Sequence, residues 1–156
     1  MTRLIQLTQG KQAIVSDEDY DLLASAGPWY AARRRESYYA CNAKHGLMHR
    51  FLWQTWHGTA PPMVDHKDRN GLNNCRDNLR EASRSENAFN SDIQGNNRSG
   101  LRGVCWQPDR GKWWVRIYKN RRAIHVGYFT SKQAAGEAYN EAARRIAGDF
   151  AVLNCA

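Results

Sequence analysis

Apolar positions fall in two rhythms along this chain, and the change of rhythm divides it. In the first part they come as short runs. Leu4-Ile5-Gln6-Leu7 and Gln12-Ala13-Ile14-Val15, parted by Gln9-Gly10-Lys11, predict a hairpin. Ser16-Asp17-Glu18-Asp19 opens a short helix through Leu22 and Leu23 that ends near Gly27-Pro28. Trp29 to Arg35 and Ser37 to Ala43 predict two further strands. Met48 to Trp56 predicts a helix, or a strand leading into one, with Leu52, Trp53 and Trp56 on its apolar side. Pro61 and Pro62 stop any helix and set up an extended entry to Val64-Asp65-His66. Asp68 to Asn74 is crowded with turn formers, whose short side chains bond nearby backbone. Arg80 to Asn90 has helix-compatible composition, with Ala82, Ser85 and Phe89 three and four residues apart, and Ser83 with Glu86 has capping-box form.

Beyond Ser91 to Ser99, a stretch of Gly, Asn, Ser and Asp that reads as a linker, the rhythm changes. Leu101 to Trp106, Trp113 to Lys119 and Ala123 to Phe129 predict three strands, with turns at Pro108 to Gly111 and Asn120 to Arg122. Thr130-Ser131-Lys132-Gln133 opens a helix. Ala134, Ala135, Ala138, Tyr139, Ala142, Ala143 and Ile146 then share one face, and Gly148 ends it. Three strands on one small-residue helix leave a second sheet face bearing Trp114, Arg116 and Tyr118, which Arg102, Arg121, Arg122 and His125 can join. The predicted class is α+β. The predicted division is a β-rich first domain over 1–92, a linker at 93–99 and a sheet-and-helix domain over 100–156.

Composition sharpens this picture. The 156 residues carry a net charge of +8 and six tryptophans. That balance implies a polyanionic partner. No apolar run approaches the ~20 residues of a membrane span, and no signal-peptide pattern opens the chain, so the expected setting is the cytoplasm and no membrane. The four cysteines, Cys41, Cys75, Cys105 and Cys155, form no C-x-x-C pair, which argues against a structural zinc site. Arg33, Arg34 and Arg35 make a basic run suited to tracking phosphates, or simply a solvated turn.

The chemistry concentrates in Val64 to Asn90. Asp65 and His66 are adjacent, so on a straight strand they face opposite ways. A loop closing back on the following helix would bring Asn87 beside Asp65. Carboxylate and amide oxygens suit a hard divalent cation, magnesium or manganese. Hydrolysis of a phosphodiester needs an activated water and a stabilised leaving oxygen. His66 can serve as the base, and a cation as the electrostatic partner. Arg50, Lys67 and Arg80 are the nearby candidates to hold a phosphate.

Asp65-His66, then Asp77-Asn78-Leu79, then Glu86-Asn87, preceded by the His-Arg of MHRFLW, resemble the HNH nuclease motif, in its phage and intron-encoded homing endonuclease branch. The resemblance spans His49 to Asn90 and implies a ββα-metal core. It implies that His66 is the general base and that Asp65 and Asn87 hold one metal ion. It further implies that Asn78 braces the loop and orients the histidine, and that His49 and Arg50 lie near the catalytic centre. The third position is Asn here, where a histidine is common elsewhere in the family.

The second half resembles the AP2 DNA-binding domain. The likeness runs through Arg102-Gly103-Val104, Gly111-Lys112-Trp113, Gly127-Tyr128-Phe129, the AAGEAYNEAA helix and the closing AVLN. It implies contact with double-stranded DNA through the sheet, with Arg102, Trp106, Trp114, Arg116, Tyr118, Arg121, Arg122 and His125 as candidates. The joint expectation is a metal-dependent endonuclease that nicks one strand of duplex DNA per active site, as monomer or homodimer. Its rivals are a DNA-binding regulator whose HNH half has become a scaffold, and a factor acting on RNA.

Overall fold

A computed structural model describes residues 1–34, 37–59, 61–93 and 95–155, and its mixed strands and helices make it an α+β protein. The chain divides into two compact units, 1–83 and 84–156. This division falls ahead of the 93–99 stretch read as a linker.

The first unit begins with a hairpin, β1 (Thr2–Gln6) and β2 (Gln12–Ser16), paired antiparallel with Ile5 level with Ala13. Gln9 and Gly10 both take positive φ in its turn, which is where a Gly is useful. A short helix, α1 (Tyr20–Ser25), sends Leu23 into the core. β3 (Tyr30–Arg34), β4 (Ser37–Asn42) and β5 (Gly46–Leu47) form a second sheet. Against it lies α2 (Met48–His57), which buries Met48, His49 and Leu52 and ends at Gly58 in the left-handed region. Val15, Leu23, Trp29, Ala31, Ala40, Met48 and Leu52 form one apolar cluster.

Three short strands complete this unit. β6 (Val64–His66) pairs antiparallel with β8 (Leu79–Glu81), putting Asp65 level with Arg80. So Arg80 and Glu81 lie in a strand, where the spacing predicted the start of a helix. Cross-strand pairing with the Asp-His segment overrides local propensity there. Between them β7 (Asn73–Asn74) pairs parallel with β2, placing Asn74 level with Val15. The asparagine-rich loop is therefore docked on the N-terminal hairpin. A buried polar junction supports the docking: Asp19, 2% exposed, accepts from Trp56 Nε1 at 2.9 Å and from Arg76 Nε and Nη2 at 3.0 and 2.7 Å.

The second unit opens with α3 (Arg84–Phe89), whose Phe89 enters the apolar cluster of that unit. β9 (Val104–Gln107), β10 (Lys112–Lys119) and β11 (Arg122–Phe129) form an antiparallel sheet in the order β11-β10-β9. Asn120 and Arg121, both with positive φ, make the two-residue turn between the longer strands. α4 (Lys132–Ala147) starts where Ser131 Oγ accepts from the Ala134 amide at 3.0 Å. Val104, Val115 and Ile117 face Ala135, Tyr139 and Ala143 across the core. Any side chain at Gly103 would strike the Arg116 carbonyl and the Tyr139 ring, so that close approach requires glycine. The closing segment is tied down by Asn154, which accepts from the Arg102 amide at 2.6 Å and exchanges two bonds with Asn140.

Candidate active site

β6 is a three-residue strand paired with β8, so alternation turns its two functional side chains to opposite sides. Asp65 turns towards its cross-strand partner, and its Oδ2 accepts from both Nε and Nη2 of Arg80 at 2.9 Å. With the two side chains 7% and 14% exposed, this is a buried ion pair. Arg80, a candidate phosphate holder in the sequence, is thus engaged with Asp65.

His66 points the other way, into an aromatic recess. Its ring lies 4.8 Å from that of His49, in an edge-on arrangement. The Tyr39 ring stands 5.9 Å away, also edge-on. Tyr39 sits this close to the loop because Gly71 has no side chain: a Cβ there would come within 2.6 Å of the Tyr39 ring. The Nε2 of His66 lies 3.4 Å from Asn74 Oδ1.

This recess keeps both imidazoles neutral. Burial pushes the His66 pKa down, outweighing the Asn74 contact and the Asp68 and Asp65 carboxylates, which act to raise it. For His49 burial again leads, and His66, Arg50 and Arg34 add repulsion, so its pKa falls to about 3. A neutral imidazole can accept a proton, which is what a general base must do.

Asn78 occupies the middle of the loop, as a brace. Its Nδ2 donates to Asp68 Oδ1 at 2.9 Å and to the Asn73 carbonyl at 2.7 Å, while its Oδ1 accepts from the Asp68 amide at 3.1 Å. Burial acts to raise the Asp68 carboxyl, but bonds from the Asn70 amide, Asn73 and Asn78 outweigh it and hold the group below the usual range. Asn74 is one polar side chain against the His66 ring, while the bonds of Asn78 go to Asp68 and Asn73. Nothing in the local sequence singles out Asn74 among its neighbours; its pairing with β2 does. Tyr39 was likewise hidden, reading simply as a strand residue.

The remaining candidates of this unit sit around the recess or apart from it. Arg50 donates to the Pro62 carbonyl at 3.4 Å. Lys67 reaches the Asp77 carbonyl. Arg33 and Arg34 are exposed on β3, and the charge of Arg34 acts on His49. Arg35 lies outside the described residues. Asn87, the other expected metal ligand, stands on α3 in the second unit. Among the described residues no three His, Cys, Asp or Glu side chains gather as a metal cage.

In the second unit one sheet face collects the expected aromatics and cations. Trp114 and Tyr128, cross-strand partners, stack at 6.4 Å and 20°. Arg116 lies 4.5 Å from the Trp114 ring centre and 5.3 Å from that of Tyr118. Trp114 Nε1 donates to His125 Nδ1 at 2.9 Å. Arg110, which the sequence did not single out, covers Tyr128 at 4.8 Å. Arg121 and Arg122 are exposed at the hairpin end. Trp106 does not join this face. It is level with Trp113, the two rings 5.1 Å apart, and the pleat turns both to the opposite side from Trp114. Arg102 bends towards its own unit and donates to the Ser91 carbonyl.

The family profile described as HNH endonuclease matches residues 47–89. Protein 3.8 of Escherichia phage T7 is 39% identical over 64 residues, 40% of this chain and 53% of that protein. The chain thus spans about half the length of that relative. An uncharacterized HNH endonuclease of Acanthamoeba polyphaga mimivirus is 29% identical over 151 residues, 94% of this chain and 76% of the relative. A putative AP2/ERF and B3 domain-containing protein of rice is 39% identical over 56 residues, 36% of this chain and 17% of its own length. The matched residues 47–89 contain His49, Asp65, His66 and Asn78.

Proposed function

We propose that this protein is an endonuclease that hydrolyses a phosphodiester of double-stranded DNA, with one active site cutting one strand. The observation that carries the reading is that β6, inside the segment the HNH endonuclease profile matches, carries a neutral buried imidazole at His66 next in sequence to a carboxylate at Asp65.

The donor chemistry fits a single hard cation. Asp65 offers carboxylate oxygen on the same three-residue strand as the base, with its Oδ2 held by Arg80. Magnesium commonly binds through one or two carboxylates plus water and substrate oxygens, and manganese takes similar ligands. Asp65 would hold the ion, and the sequence pattern names Asn87 as its companion ligand. When bound, such an ion supplies positive charge to the phosphate and its leaving oxygen.

The chain's own residues do the rest. His66 takes a proton from water, whose oxygen attacks phosphorus as the bond to the leaving oxygen breaks. His49 and Tyr39 wall the ring, and Arg34 and Arg50 keep that side of the unit electropositive. Asn78 holds the loop through Asp68 and Asn73. In the second unit, Trp114, Arg116, Tyr118, His125 and Tyr128 offer a basic aromatic face to a DNA groove, with Arg121 and Arg122 at its end. Tethering that face to the nuclease makes the second contact intramolecular and raises local concentration at the phosphate.

Supercoiled plasmid incubated with the protein in magnesium, manganese or chelator tests this reading. Wild type converts it to nicked circles with either metal, and His66→Ala lowers the rate about 100-fold or more while still shifting DNA in chelator. A shift with no nicking under any metal would make the protein a DNA-binding regulator instead. Preference for structured RNA over duplex would move the substrate class.

A further inference from the structure

We infer that a cavity along the β9 edge of the second unit takes one unpaired nucleobase of the DNA, stacked on Trp106. The inference rests on DNA being the partner and goes beyond the nuclease reading, since no step of the cleavage uses this cavity. The sequence pattern puts Trp106 among the DNA contacts, and the pleat turns it away from Trp114. There it lines a space of about 700 Å³, a size typical of small-ligand sites.

Strand order explains where this cavity lies. β9 is the edge of its sheet, in the order β11-β10-β9. The lining takes Trp106, Trp113 and Ile117 from the α4 side, and Cys105, Arg116 and Tyr118 from the side of Trp114. A cavity lined from both sides follows the edge, so a strand held on the Trp114 face can swing one base into it and stay docked. Much of the remaining lining comes from residues 88–99. Asn97 Oδ1 accepts from the Gly100 amide at 2.9 Å and from Ser99 Oγ at 2.8 Å, and its Nδ2 donates to the Leu101 carbonyl at 2.9 Å. Arg102 ties down Ser91 through its carbonyl, and Phe89 is anchored in the core. These ties fix the wall before a ligand arrives, which lowers the ordering cost of binding.

The lining suits a flat ring that carries phosphate. Trp106 is 43% exposed even with Trp113 at 5.1 Å, because the two rings meet edge-on at 63°. An edge-on pair leaves ring face uncovered, and any of the four bases can stack on such a face. Arg98 and Arg102 line the same cavity, and Lys132 Nζ stands 6.0 Å from the Trp113 ring centre. Against the carboxylate of Asp92, that balance of charge favours a phosphate-bearing ligand over a neutral one. Taking a base out of a duplex costs its stacking, and least where the base has no partner to lose.

The test measures binding of the full chain, by anisotropy in chelator, to three labelled DNAs: a paired duplex, the same duplex with one extra unpaired base, and a single strand. Wild type should bind the bulged duplex or the single strand more tightly than the paired duplex. Trp106→Ala should lose that advantage, by about 5- to 100-fold for one base–aromatic stack, and keep paired-duplex affinity within about twofold. Trp106→Phe, which retains a ring face, should recover most of it. Whether the bulge or the strand gains tells an extruded base from one on a free strand. A Trp106→Ala protein that binds all three DNAs as wild type does, or weakens on all three alike, overturns the inference. So does a wild type with no preference among them. Irradiating 5-iodouracil at an unpaired position of the preferred DNA judges the site without any variant. A cross-link at Trp106, Trp113 or Phe89 is expected; one confined to Trp114 or Tyr118, or none, overturns the inference. Plasmid nicking with magnesium or manganese is scored separately. A chain that cuts nothing loses the nuclease reading, while the titrations and the cross-link still judge the cavity.

Discussion

His66 and His125 are both imidazoles met by a neighbouring polar side chain, yet they stand in opposite surroundings. His66 is 5% exposed, walled by Tyr39 and His49, and contacts Asn74 across a loop docked on another strand pair. His125 is exposed on a sheet, where the register with β10 shifts, and accepts from the Trp114 indole on the neighbouring strand. The first unit draws its polar groups inward and holds them through contacts distant in sequence. The second presents its polar groups outward and holds them through strand register and ring stacking. A reacting group gains from burial, because a fixed position and a selected proton form are what bond-making requires. A groove-reading surface gains from exposure, because its contacts must meet base edges and phosphates from outside.

The contrast breaks most readily at the buried ion pair. Arg80→Ala leaves the Asp65 carboxylate inside without its guanidinium, and should cost about 3–5 kcal/mol in urea unfolding. A loss under about 1 kcal/mol would mean that the pair behaves as a solvated one and is not the buried type argued above.

Acid provides the next largest effect. The folded-state pKa of His49 lies at about 3, below the ordinary histidine value of 6.5, so between those limits the unfolded chain binds the extra proton. Stability contributed by neutral His49 is fully present above pH 6.5 and is lost as pH falls from there towards 3. The urea midpoint of wild type should therefore drop more steeply across that window than the midpoint of His49→Phe. Equal slopes would show that His49 is not held neutral by its surroundings.

On the exposed side the penalties should be smaller and should fall on binding. Arg116→Ala should weaken duplex DNA binding by about 1–3 kcal/mol, measured by anisotropy in chelator. Its thermal stability should change little, because Arg116 stacks on rings at a surface. Smallest of all, Arg121→Gly should raise stability by about 0.5–1 kcal/mol, since Arg121 sits at φ 65 in a turn position that favours glycine. The same change should weaken DNA binding if the hairpin end touches phosphate. A gain in stability with no loss of binding would remove Arg121 from the interface.

Local sequence carried much of the second unit. Alternation in Trp113 to Lys119 sends Val115 and Ile117 to α4 and Trp114, Arg116 and Tyr118 outward, and a period of two is enough to say so. The Ser131 cap and the Gly148 stop of α4 were also legible, because they are set by residues at its own ends. Trp106 shows the limit even here. Its face depends on register with Trp113, which a strand's own pattern does not state.

For the candidate site, residue order alone put the chemistry on offer: Asp65 beside His66, Asn78 in the loop, and His49 upstream. The tertiary structure alone decided which groups meet. It put Arg80 opposite Asp65 by turning an expected helical start into β8, and it set Tyr39 against a loop that only Gly71 leaves open. It also brought Asn74 within 3.4 Å of the imidazole, in a loop whose β7 lies along β2, some sixty residues away in the chain. Residue types are local and can be read in order. The partner of a buried polar group is fixed by long-range pairing, whose closure depends on the whole unit folding.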